Sequence, residues 1–366
     1  MLLRSAALAL VVWTGSRAGQ TPSEGAPPST GNDTTPPAVV RVSVTPRDTI
    51  SAVTGATPPP AATADPVVRD TTARGTLARG AAVRDTTAAA VGRRRRGAEF
   101  VVPLGSVFLP GLGQYVHGAR RDGLAYSAAA LAGYGLSDVG DADGKTWGDL
   151  PLRGRDQLAE QALGVAVAAG FVSAWDAFHR AVPALQRRGR YEFLTRRERP
   201  RDLLTAPFDP RFLRRWTTWV DLAQTGVVTA LILSDRRPGG RYRALRAQDA
   251  AYATALAANA AAGEEAAFRG WLLPLAYEHT GRRFWLANGM QAGAFGAAHL
   301  PDAGWGAAYI GAWAAWEGWI VRRNQWSVRE SVFHHFWYNA AVVSATFLTT
   351  GRDTPARRIA FPTLAF

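Results

Sequence analysis

From Glu99 onward the apolar residues fall into blocks, broken by short basic runs or by Gly and Pro. The blocks cover residues 100–115, 124–136, 158–182, 216–233, 248–277, 284–300, 305–321 and 331–349. Most approach the ~20 residues that an α-helix needs to cross a bilayer. The pattern predicts an all-α fold, a polytopic membrane helix bundle of about eight transmembrane helices. Block 248–277 is Ala-rich and strongly helix-forming, and it is expected to bend at Gly263. The first two blocks read as a hairpin punctuated by Pro110-Gly111-Leu112-Gly113-Gln114. Such breaks are tolerated in lipid where neighbouring helices satisfy the freed backbone. The many Ala and Gly residues favour close helix approach.

The first 98 residues follow a different pattern. Arg4 and a short apolar run up to Trp13 suggest a signal peptide over residues 1–19, too short to span a bilayer. Residues 20–98 are rich in Pro, Thr, Ala and Gly, and lack the large apolar side chains that offset chain entropy. They are expected to form a disordered N-terminal tail. The rest divides into an N-terminal membrane region with an Arg-rich loop (99–215), a core (216–350) and a C-terminal tail (351–366). A cleaved signal would put the tail outside, whereas Arg93 to Arg96 argue for the inside.

Composition narrows the picture. Hydrophobic residues make up 47% of the chain, yet mean hydropathy is only -0.09 because the polar front end dilutes the apolar remainder. The net charge of +13 comes mostly from Arg, clustered between apolar blocks at 93–96, 187–188, 236–237 and 322–323. That placement favours membrane-flanking loops over a nucleic-acid surface, and no nucleic-acid partner is expected. The chain has no Cys, which rules out disulfides, thiolate catalysis and Cys-based zinc sites. Many of its 13 Trp residues stand at block ends, as in an interfacial aromatic belt.

Three polar constellations interrupt the last blocks. Gly263-Glu264-Glu265-Ala266-Ala267-Phe268-Arg269 puts two carboxylates in an apolar helix, where they are expensive and usually functional. Glu265 and Arg269 have the favourable i,i+4 spacing. Glu264 then lies about 100° round the helix, aimed elsewhere. Phe295-Gly296-Ala297-Ala298-His299 ends the next block. His334-His335-Phe336-Trp337-Tyr338-Asn339 follows, with His335 and Asn339 sharing one helix face and His334 and Tyr338 the neighbouring one. Asp176 and His179 are read as lying near the interface rather than as catalytic. The soluble zinc-protease signature His-Glu-x-x-His is absent.

Glu-Glu-x-x-x-Arg, Phe-x-x-x-His and His-x-x-x-Asn, in that order, resemble the signatures of the CAAX prenyl protease and bacteriocin-processing (CPBP, or Abi) family of intramembrane proteases. The resemblance covers about residues 220–350. It implies an intramembrane endopeptidase in which Glu264 and His299 activate a water, and His335 and Asn339 stabilise the oxyanion. Glu265 and Arg269 are expected to orient these groups. A carboxylate out of bulk water is a better base, and preorganised donors act strongly there. No cofactor is expected. The alternative is zinc on Glu264, His299 and His335, with one position open for water. The expected partners are membrane lipid and a peptide or membrane-anchored protein substrate, and the expected location is a bacterial inner membrane, multi-pass. The rival functions are a non-catalytic protein of the same fold, in bacteriocin immunity or as a scaffold, and a transporter using Gln114, Asp176, Asp221 and Gln224 as an ion path.

Overall fold

The computed structural model describes residues 98–140, 154–234 and 244–349. The expected signal peptide, nearly all of the expected tail, the C-terminal tail, and the Arg runs at 93–96 and 236–237 lie outside these residues. Every regular element among the described residues is helical, with no strand. The helices are α1 Ala98–Phe108, α2 Leu112–Val116, α3 Arg120–Gly140, α4 Arg155–Gln186, α5 Pro200–Thr205, α6 Trp216–Ser234, α7 Ala247–Glu264, α8 Leu273–His279, α9 Phe284–Ala298, α10 Leu300–Ala303, α11 Ala307–Arg323 and α12 Arg329–Thr349. Each of the eight apolar blocks is thus helical. The 32 residues of α4 extend about 48 Å at ~1.5 Å per residue. Among the described residues α4 is the one helix long and apolar enough to cross a membrane, by length and composition.

The hairpin docks on α4 through polar contacts that its Pro-Gly break makes possible. Gly111 adopts φ 99°, a left-handed conformation natural to glycine, and its N–H bonds Ser173 Oγ at 2.8 Å. Gln114 is fully buried; its Nε2 donates to Ser173 O and Asp176 Oδ2, and its Oε1 accepts from Ser173 Oγ. Asp176 also receives Arg180 Nε at 2.8 Å. His179 Nε2 lies 3.3 Å from Gly270 O. Asp176 and His179 therefore take part in contacts between scaffold helices. Gly170 on α4 lets Val107 O approach so closely that a Cβ there would sit 2.6 Å from it.

Helix α4 lies against α1, α3 and α7. Helix α12 packs on α6 and α7, and α9 on α11. An aromatic core of Trp175, Phe178, Tyr191, Phe193, Tyr277, Trp326 and Phe333 joins these layers. The Arg-rich stretch before α6 ties onto α12. Trp337 Nε1 donates to Pro207 O at 3.0 Å, and Arg329 Nη2 to Asp209 Oδ2 at 2.9 Å. These contacts fix the helix that carries His334, His335 and Asn339.

Candidate active site

Residues 265–272 leave the α-helical path. They wind as a π-helix, Glu265–Leu272, between α7 and α8. The bend expected at Gly263 is thus a wider turn beginning two residues later. π segments are rare and recur at functional sites. This one points Glu265 and Arg269 into the bundle, where both are fully buried. Arg269 Nη1 donates to Glu265 Oε1 at 3.1 Å. The Arg269 guanidinium also stands 4.1 Å above the Phe295 ring and 5.4 Å from that of Trp313, in cation–π range. Glu265 Oε2 accepts from Ser331 Oγ.

Three of the four predicted catalytic side chains line one cavity. His299, His335 and Asn339 border it with Gln224, Phe295, Tyr309, Ile310, Trp313 and Tyr338. Its volume is about 30 Å³, enough for a water, which needs roughly 10–15 Å³ on this measure. The fourth, Glu264, lies behind the cavity wall; its Oε2 is 3.9 Å from His335 Nε2. Among the described residues Glu264 Oε2 and Asn339 Nδ2 have no hydrogen-bond partner, and both are buried. His335 links the two carboxylates, because its Nδ1 lies 2.9 Å from Glu265 Oε1.

The contacts constrain the tautomers. A carboxylate only accepts, so His335 Nδ1 carries the hydrogen that Glu265 receives. His335 Nε2, facing Glu264, then donates only in the cationic ring. His299 Nδ1 lies 2.8 Å from Phe295 O, and a carbonyl likewise only accepts. The neutral His299 ring therefore keeps a lone pair on Nε2. One imidazole is set up to accept a proton, and the other has its Nδ1–H committed to Glu265. For zinc, the test is whether donor atoms gather. Among the described residues the three metal-capable side chains whose ligand atoms lie within 4.8 Å of one another are Asp221, Glu317 and His334. Glu264, His299 and His335 form no such set.

Sequence reasoning overlooked that cluster. The helical spacing pairs His334 with Tyr338, yet its Nδ1 lies 3.1 Å from Glu317 Oε1 and 3.3 Å from Asp221 Oδ2. Glu317 went unremarked, although a lone acid among Ala and Trp residues of an apolar block is itself a signal. Trp313 was also missed. Its ring packs edge-on at 5.1 Å from that of His335, and its indole N–H donates to Asp221 Oδ1.

A family model described as Type II CAAX prenyl endopeptidase Rce1-like matches residues 246–341, a stretch that contains all three motifs. Comparisons with curated proteins and with solved structures find no match. The family match bears out the resemblance drawn from the motifs: over residues 246–341 the chain is similar to the type II CAAX prenyl endopeptidase Rce1-like proteins, a membrane-embedded peptidase family.

Proposed function

We propose that the chain is an intramembrane endopeptidase, CAAX-protease-like, that hydrolyses a peptide bond with a water activated by Glu264 and His299. In this reading the water attacks the scissile carbonyl carbon and passes its proton to Glu264 or His299. His335 and Asn339 donate to the oxyanion that forms. The C–N bond then breaks, and the departing amine takes up the proton. Glu265 and Arg269 position His335 and do not touch the substrate. No metal takes part in this scheme. The substrate is a peptide or membrane-anchored protein met at the membrane, and the chain sits multi-pass, with about eight spans, in a bacterial inner membrane.

The observation that carries the reading is the shared pocket: His299, His335 and Asn339 around a water-sized, mostly apolar cavity, with Glu264 3.9 Å from His335. An ion path would want a continuous polar track. Gln114 and Asp176 are instead bonded to each other in the hairpin lock, which weakens the transporter alternative.

The test uses full-length protein in lipid vesicles and a fluorogenic peptide ending in a prenylated cysteine, with its unprenylated twin. Glu264→Gln should cut kcat/KM by about 10²–10⁴-fold, the usual worth of a general base, while leaving thermal stability near that of the parent. Unchanged cleavage in that variant, or no cleavage of either peptide by the parent, would favour the scaffold alternative. Activity per folded molecule should also survive a strong chelator. Its loss, followed by recovery on adding zinc both in the parent and in Glu317→Gln, would put a metal on Glu264, His299 and His335.

A further inference from the structure

Asp221 on α6, Glu317 on α11 and His334 on α12 meet at one point outside the cavity, and all three are buried. His334 Nδ1 faces Glu317 Oε1 at 3.1 Å and Asp221 Oδ2 at 3.3 Å. The carboxyl groups of Asp221 and Glu317 lie within hydrogen-bonding reach of each other. Glu317 is fully buried, and among the described residues its two oxygens share a single donor, His334 Nδ1, which Asp221 also faces. Asp221 has two indole donors besides, from Trp313 and Trp316, whereas among the described residues Glu317 depends on the His334 ring alone. Among the described residues no Arg or Lys forms an ion pair with either; Arg215 pairs with Glu330 and Arg269 with Glu265. If both carboxyls are ionised, one negative charge is left over even with His334 protonated, so the cluster needs either a bound cation or a proton shared between the two carboxyls.

The spacing suggests what compensates it. An ion bound tetrahedrally to imidazole nitrogen and carboxylate oxygen at ~2.0–2.2 Å keeps its ligand atoms about 3.3–3.6 Å apart. The two distances to His334 Nδ1 are close to that edge length. Ligation through Nδ1 leaves the hydrogen on Nε2, and Thr218 Oγ1 lies 3.0 Å from that atom. Asp221 is oriented by two indoles, Trp313 Nε1 on Oδ1 at 3.1 Å and Trp316 Nε1 on Oδ2 at 2.8 Å. Outer contacts of this kind set the tautomer and direction of metal ligands.

We propose that Asp221, Glu317 and His334 bind one divalent cation of the zinc class, at a site separate from the hydrolytic cavity. The site ties α6, α11 and α12 together. Through Trp313, which holds Asp221 and lines the cavity beside His335, it steadies one wall of the cavity. It is a positioning site, and it stands whether or not the peptidase reading holds.

The experiment uses the full chain without a polyhistidine tag, purified in detergent, equilibrated with Zn²⁺ and desalted. The parent should retain about one zinc per chain, and both Glu317→Gln and Asp221→Asn should lose it. His299→Ala should keep it. X-ray absorption of the parent's zinc should report one imidazole among oxygen ligands, a readout that does not depend on any variant folding. Two imidazoles, or zinc that leaves with His299→Ala and stays in Glu317→Gln, would place the ion in the cavity and overturn the proposal. A parent that retains no zinc would overturn it as well, leaving a proton shared between the two carboxyls.

Discussion

At the residue scale the site is organised by which ring nitrogen is already spoken for. Glu265 accepts from three donors, His335 Nδ1, Arg269 Nη1 and Ser331 Oγ. It therefore fixes both the orientation and the tautomer of His335. Glu265→Gln keeps the volume but brings an NH₂ group into a nest of donors, and a misoriented His335 should lose much of its hold on the oxyanion. The expected result is a fall in kcat of about 10²–10³-fold, the worth of one oxyanion donor, with KM nearly unchanged. That split marks a loss confined to the transition state. An equal loss through KM would instead make Glu265 part of substrate binding. The Glu265–Arg269 pair was legible in the sequence because its i,i+4 spacing is a local property. The bond from Glu265 to His335 was not, because 70 residues separate them. For the same reason the partner of Glu317 was not legible: a lone acid in an apolar block signals burial, but nothing local names His334, 17 residues on.

At the scale of elements, all eight apolar blocks became helices, because block length and breaker position are written locally. The winding of residues 265–272 was not, since a π-helix differs from an α-helix by one extra residue per turn. Nothing in Glu-Ala-Ala-Phe-Arg-Gly-Trp-Leu dictates that residue; the packing does. Gly270 gives part of the reason: a side chain there would strike the Trp175 indole. The π turn sets the angle between α7, which ends at Glu264, and the Arg269 face that meets Phe295. Deleting Ala267 should let the segment return to α winding. The two carboxylates would then rotate relative to Arg269 and His335. Peptidase activity should disappear while helical content by circular dichroism stays near the parent's. A deletion variant that keeps its activity would show that the wider turn serves packing alone.

For the whole molecule, hydropathy alone undercounts what a bilayer could hold: among the described residues only α4 is long and apolar enough to cross one. The helices that build the site lose hydropathy to the very groups that matter: Glu264 on α7, Glu317 on α11, and Glu330, His334, His335 and Asn339 on α12. Those side chains are buried, and large apolar ones face outward instead, among them Leu131, Val227, Leu231 and Trp285. A soluble domain rarely turns so many apolar residues out, whereas lipid welcomes them. The chain contains no Cys, so single cysteines report cleanly. Leu131→Cys, Val227→Cys and Leu231→Cys should resist a membrane-impermeant maleimide in intact vesicles and react once detergent is added. Trp305→Cys, at a position 97% exposed between α10 and α11, should react in vesicles from the one side it faces. Rapid labelling of the three helical positions without detergent would mean that α3 and α6 lie in water. The multi-pass arrangement would then fail, even if the cavity around His299, His335 and Asn339 still cut peptides.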